Sequence, residues 1–270
     1  MLQQLAQWPV DNVAGALIGP AGVIETFGDT GRAFALASVT KPLVASAVLV
    51  AVEEGAIELD TPAGPPGSTV AHLLAHASGL AFDSAEQLAP VGTQRIYSSY
   101  GFELVAKTVA EATEIAFPDY LAQAVAEPLG MTTTTLDGPA GHGATSCVDD
   151  LARYAGDLLA PRIVAPETAR SARSVWFPGL DGFVPGYGRH RPCDWGLGFE
   201  IRGHKSPHWT ASSASPETFG HFGQSGTFLW VDPVRRAACV VLTDRAFGAW
   251  AKPLWSDFND DICARLDGGG

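Results

Sequence analysis

The chain has 270 residues, 46% of them hydrophobic, and 29 acidic against 17 basic side chains leave a formal net charge of −12 at pH 7. That length and apolar share allow one good core or two small ones. The negative balance argues against nucleic acid or an anionic membrane surface as a partner, and no uninterrupted apolar run of about 18 residues predicts a membrane span.

The opening MLQQLAQWPVDNVAG lacks a basic n-region and an h-region, so a cytoplasmic location is expected and an exported cell-wall peptidase is disfavoured. Asn12–Gly19 and Ala21–Phe27 flank a Gly-Pro-Ala-Gly turn and predict a β-hairpin. Phe34–Leu36 is strand-like, and a long apolar helix follows, ending at Glu53-Glu54-Gly55 with a glycine stop. Helical spacing then recurs in Thr69–Ala77, Tyr100–Thr113, Pro118–Ala126 and Val148–Leu159. Pro- and Gly-rich joints lie at Pro62–Gly67 and Trp176–Pro192. Trp195–Arg202 alternates like a strand, Thr227–Val231 and Ala237–Thr243 form a second hairpin, and an amphipathic helix closes the chain from about Phe247 to Leu266. The four cysteines (Cys147, Cys193, Cys239, Cys263) are scattered, which suits free buried thiols in a reducing compartment.

Strands first, helices in the middle and strands last predict an α+β fold within the broad α/β class. One antiparallel sheet is built from both ends of a single domain, 1–270, and flanked by terminal helices. The sheet part spans about 1–60 and 193–270, the helical lobe about 61–192, and a cleft between them is the expected ligand site.

Within Ala33–Val52 the only charge is Lys41, one of four lysines in the chain with Lys107, Lys205 and Lys252. Burying an ammonium without a partner costs several kcal/mol, so a lysine in such a segment has a depressed pKa. Ser38 lies three residues earlier, one helical turn away on the same face. A desolvated amine within reach of a hydroxyl makes that hydroxyl a nucleophile, and free N–H groups at the helix start suit an oxyanion developing beside it. Pro42 falls in or near the first turn, where its missing N–H costs nothing. A third group must carry the proton to a leaving atom. Tyr97, in Arg95-Ile96-Tyr97-Ser98-Ser99-Tyr100-Gly101, offers a phenol at a helix start. On the sheet side, His221-Phe222-Gly223-Gln224-Ser225-Gly226-Thr227 leads into a strand, and its glycines let a substrate approach the backbone. Phe222, Gly223 and Ser225 are therefore candidate substrate contacts.

The order Ser-Val-Thr-Lys, Tyr-Ser-Ser, His-Phe-Gly resembles the pattern Ser-x-x-Lys, Tyr-x-Asn, Lys/His-x-Gly of the serine β-lactamase and penicillin-binding-protein superfamily. It is most similar to the branch holding class C β-lactamases, family VIII esterases and D-aminopeptidases. Leu73–Leu80 looks like that branch's LLxHxSGL, Glu127–Met131 like its PLGM and Trp195–Gly198 like its yGLG. The resemblance implies the fold predicted above. It also implies Ser38 as nucleophile, Lys41 as its activator and Tyr97 as partner acid or base. The backbone N–H groups of Ser38 and Gln224 become the oxyanion hole, and Ser99 and His221 pocket residues. Two departures stand out. Ser99 replaces the usual Asn and has no amide to donate and accept at once, and His221 replaces the lysine common in β-lactamases and is mostly neutral near pH 7.

His72 and His76, spaced i, i+4, are a formal metal pair, but Leu73-Leu74 fill the gap and no metal or cofactor is assigned. There is no G-x-S-x-G elbow, P-loop or G-x-G-x-x-G. Asp149-Asp150, Asp257 and Asp260-Asp261 read as solvated helix faces. The expected activity is hydrolysis of a small-molecule ester, amide or β-lactam through a Ser38 acyl-enzyme, with esters preferred because of Ser99 and His221. β-Lactamase or D-amino-acid peptidase activity is the alternative, and a non-catalytic ligand-binding relative is the alternative of another class.

Overall fold

The computed structural model describes residues 1–268. In chain order it contains β1 (Val13–Gly19), β2 (Gly22–Phe27), β3 (Phe34–Ala35) and α1 (Thr40–Glu53). The helical region holds α2 (Val70–Leu74), α3 (Tyr100–Thr113), α4 (Phe117–Leu121), α5 (Glu127–Leu129), β4 (Thr135–Leu136), β5 (Ala144–Ser146), α6 (Val148–Leu159) and α7 (Pro166–Ala172). The remainder forms β6 (Gly182–Val184), β7 (Gly188–His190), β8 (Glu200–Ile201), β9 (Phe219–Gly223), β10 (Thr227–Asp232), β11 (Ala237–Thr243) and α8 (Ala251–Gly268).

The main sheet has the order β2-β1-β11-β10-β9-β8 with antiparallel neighbours. Its two ends meet where β1 pairs β11, with Leu17 opposite Cys239. The period-2 pattern of these strands explains why both faces are covered. Ala14, Ala16, Ile18, Ala238, Val240 and Leu242 point to one side and pack with residues of α1 and α6. Leu17, Cys239, Val241, Phe228 and Trp230 point to the other, against Trp255, Phe258 and Ile262 of α8. A strand buried on both faces reads as continuously apolar, as β11 does.

Several predicted elements shift for local reasons. Thr69–Ala77 shortens to α2 because His76 adopts the left-handed region at φ 55°. Pro118–Ala126 becomes α4 and a π-turn, with α5 following at Glu127. The closing helix starts four residues later than Phe247, at Ala251. Trp195–Arg202 is not an alternating strand; only Glu200–Ile201 is extended. Gly198 turns there at φ 83°, and a Cβ on it would lie 2.1 Å from the Ala45 side chain, so the segment packs directly on α1. The joint Trp176–Pro192 contains the β6–β7 hairpin. Buried Arg95 fastens it to the helical region by donating to the carbonyls of Ala75, Trp176, Phe177 and Cys193. Asp150 is not solvated: it is 1% exposed, accepts from the Thr133 N–H and the Thr134 hydroxyl, and pairs with Arg153. All four cysteines are free and buried. No helix among the described residues is long and apolar enough to cross a membrane.

Candidate active site

Ser38 lies on a 3-10 turn, Ala37–Val39, between β3 and α1. Ala37 is held there at φ 46°, a left-handed conformation costly for a residue with a Cβ, and local strain of this kind persists only where surrounding contacts impose it. Those contacts come from the β9–β10 turn. The Ser225 hydroxyl donates to the Ala35 carbonyl at 2.7 Å, and Thr227 to that of Leu36 at 2.9 Å. Gly223 runs so close that a Cβ would sit 2.3 Å from the Leu36 oxygen. Ser225 and Gly223, expected as substrate contacts, thus fix the backbone leading to Ser38, and neither is among the residues lining the cavity beside it. Ser38 itself is half-buried, and neither its N–H nor that of Gln224 has a partner among the described residues.

Lys41 is fully buried on the first turn of α1. Its Nζ lies 3.3 Å from Ser38 Oγ, 3.1 Å from Ser99 Oγ and 2.7 Å from the Gly141 carbonyl. Burial pulls the amine down from 10.5 to about 7, with the charge of Glu103 opposing. In the neutral form two N–H groups serve Gly141 and Ser99, and the lone pair is left for the Ser38 hydroxyl. The amine can thus accept that proton. Ser99, expected in the substrate pocket, is turned onto Lys41 instead. The Gly141 loop packs against it, and a Cβ on Gly141 would meet the Ser99 Cβ at 2.8 Å.

Tyr97 and His221 face each other, the phenol oxygen 3.3 Å from Nε2. His221 Nδ1 lies 2.7 Å from the Phe222 carbonyl, which can only accept. That nitrogen carries the hydrogen, and Nε2 accepts from the Tyr97 hydroxyl. Burial, with the Lys41 charge adding to it, pushes His221 down to about 3. Burial raises the Tyr97 phenol above its ordinary range, only partly offset by its contact with the Ser38 hydroxyl. Tyr97 is therefore a protonated donor near neutrality, and His221 is a neutral acceptor well below pH 6, not a cation that forms in mild acid. The His221 ring resonances should accordingly show no titration step between pH 5 and 8 by NMR; a midpoint near 6.5 would contradict this environment.

Ser38, Tyr97, His221, Phe222 and Gln224 converge on one cavity of about 330 Å³, completed by Phe82, Pro185, Trp195 and Glu200. Glu200 escaped the sequence reading because it sits in a segment with a strand-like pattern. Its buried carboxylate is held well below the usual range, burial being outweighed by the charge of Lys205 and the contacts of His208, with hydrogen bonds from His208 and Trp209 adding to them. Lys205 lies 3.3 Å away, His208 3.1 Å, and the Trp209 indole donates at 2.7 Å. The wall is thus electrically compensated. Behind Tyr97, fully buried His76 takes the Ile96 N–H on its carbonyl at 3.0 Å and the Ser98 N–H on Nδ1 at 3.1 Å, with its ring 4.5 Å from that of Tyr97. Its ring thus braces the phenol. His72, in contrast, stacks on Phe177 at 4.2 Å and contacts Thr69, so the two imidazoles diverge.

The β-lactamase family model matches residues 29–263. The chain belongs to the β-lactamase family. Members of this family and fold include serine hydrolases with the antiparallel sheet and helical region seen here. A structure described as a β-lactamase from Mycobacterium bovis is 60% identical, with a TM-score of 0.97 and 98% of each chain covered. A variant of simvastatin synthase from Aspergillus terreus shares the fold at 16% identity and TM-score 0.80, covering 98% of this chain and 93% of that one. EstCE1, described as a hydrolase with promiscuous acyltransferase activity, does so at 18% identity and TM-score 0.75, covering 96% and 95%. A putative D-alanyl-D-alanine carboxypeptidase from Salmonella enteritidis is 40% identical over 76 residues, 27% of this chain and 18% of that protein.

Proposed function

We propose that this β-lactamase-family protein hydrolyses small neutral esters through an acyl-enzyme on Ser38. The observation that carries the reading is a fully buried amine of pKa about 7 placed 3.3 Å from the Ser38 hydroxyl. The neutral Lys41 amine takes the Ser38 proton as Oγ attacks the carbonyl carbon. The oxyanion forms between the N–H groups of Ser38 and Gln224. Tyr97 gives its hydroxyl proton to the departing alkoxide, and the Lys41 ammonium, 4.6 Å from the ring centroid, supports the phenolate left behind. Water then attacks the acyl-enzyme and loses a proton to the Tyr97 phenolate. Ser38 Oγ departs with the proton held on Lys41, and every group returns to its starting state.

The ester preference rests on charge. A β-lactam carboxylate, like the terminus of a D-alanyl peptide, needs a cation on the pocket wall. Here the third-motif position holds neutral His221, and Glu200 is already compensated. The 60% identity to a protein described as a β-lactamase favours β-lactam hydrolysis as the second reading. Turnover of p-nitrophenyl butyrate and of a cephalosporin at pH 8 and pH 6 separates the two. Ester hydrolysis should dominate at pH 8, and both activities should decline together towards pH 6 as Lys41 protonates. Cephalosporin turnover faster than ester turnover at pH 8 would reverse the preference.

A further inference from the structure

Next to the Ser38 cavity lies a second groove of about 570 Å³. The two share three walls, Phe82, Tyr97 and Pro185, and the groove continues along Phe183, Asp181 and Arg189. It is bounded by two phenyl rings that a folded chain would ordinarily cover: Phe82 is 54% exposed and Phe183, on the β6–β7 hairpin, 62%. Both are held in place. The Phe82 carbonyl accepts the N–H groups of Ser99 and Tyr100 at 2.8 and 3.0 Å. The hairpin hangs from Arg95, whose N–H donates to Asp181 at 2.8 Å.

We propose that this groove receives the leaving-group side of the substrate, and that this side is an uncharged apolar alcohol, best an aromatic one. The assignment rests on the reading of Tyr97 as the acid. The leaving oxygen must come within reach of the Tyr97 hydroxyl, while the carbonyl oxygen is held by the N–H groups of Ser38 and Gln224. Ser38, Gln224, His221 and Phe222 line only the first cavity, which leaves that cavity for the acyl chain. Tyr97 lines both, so whatever is bonded to the leaving oxygen exits past the phenol into the groove. The alcohol carries no positive charge, because the groove's single carboxylate is already held by two arginines and a third, Arg95, is spent on backbone carbonyls. Asp181 is bridged by Arg189 at 3.1 Å and Arg191 at 3.0 Å, and the Arg189 guanidinium lies 6.0 Å over the Phe183 ring. The outward faces of Phe82 and Phe183, turned away from Tyr97 and Arg189, remain as free apolar surface, and they suit a flat ring.

The test holds the acyl group constant and varies the alcohol. Phe183→Ala should lower kcat/KM for 2-naphthyl butyrate about tenfold, the loss expected from part of one buried phenyl contact, and change that for methyl butyrate less than twofold. Equal losses for both esters would overturn the proposal. So would a loss that follows acyl length, from 2-naphthyl acetate to hexanoate, at a fixed alcohol. Binding of 2-naphthol to Ser38→Ala protein by calorimetry keeps the question open to decision if no ester is turned over. Weaker binding in the Ser38→Ala/Phe183→Ala double variant supports the groove independently of the catalytic reading, and unchanged or undetectable binding overturns it.

Discussion

Replacing Ser38 with alanine is expected to lower ester hydrolysis by on the order of 10³-fold or more while leaving thermal unfolding nearly unchanged. The hydroxyl removed is half-buried, and its hydrogen-bonding neighbours Lys41 and Tyr97 keep other partners in Ser99, Gly141 and His221. A fluorophosphonate should label Ser38 alone, with one adduct per chain by intact mass and peptide mapping. The other serines of the neighbouring motifs are committed elsewhere. Ser225 donates to the Ala35 carbonyl, and Ser78 is 1% exposed beside the Leu80 N–H. An adduct on either, or an alanine variant that keeps a tenth of the activity, would remove Ser38 from the mechanism.

Lys41→Arg is expected to be as inactive as Lys41→Ala, because a guanidinium stays protonated and cannot take the Ser38 proton. In the wild-type protein kcat/KM for an ester should rise with pH through a midpoint near 7, where the amine loses its proton. The same shift has a stability consequence. The folded pKa lies below the unfolded value of 10.5, so between about 7 and 10.5 the unfolded chain holds a proton that the folded chain has released. The Lys41 contribution therefore penalises folding below pH 7 and is relieved as pH rises through that window. An arginine variant retaining substantial activity, with folding verified by circular dichroism, would leave Lys41 only an electrostatic role. A flat kcat/KM from pH 5 to 9 would contradict its depressed pKa.

Much of this was legible in the residues because the relevant signals are local. A lone lysine in an apolar helix identifies a buried amine, and its three-residue spacing from Ser38 is a property of one helical turn. Hence the pair is recognisable before any fold is known. The two hairpins, α3 and α6 follow in the same way from periodicity and turn chemistry, and the antiparallel sheet from the placement of strands at both ends.

Only tertiary structure decided which polar groups line the cavity beside Ser38. Ser99 and Ser225 carry the same hydroxyl as Ser38, but one is turned onto Lys41 and the other onto the Ala35 carbonyl by backbone approaches at Gly141 and Gly223. No local pattern encodes such approaches. Glu200 reads as a strand residue, and its pairing with Lys205 and its hydrogen bond with His208 depend on the segment that follows β8. His221 shows the same division most clearly. Its identity predicted a group able to charge near pH 6.5, whereas burial and the neighbouring Lys41 charge keep it neutral against the opposing pull of its hydrogen bond to the Phe222 carbonyl. Periodicity reports what a residue is bonded to along the chain, while pKa and orientation report what the fold brings within a few ångströms of it.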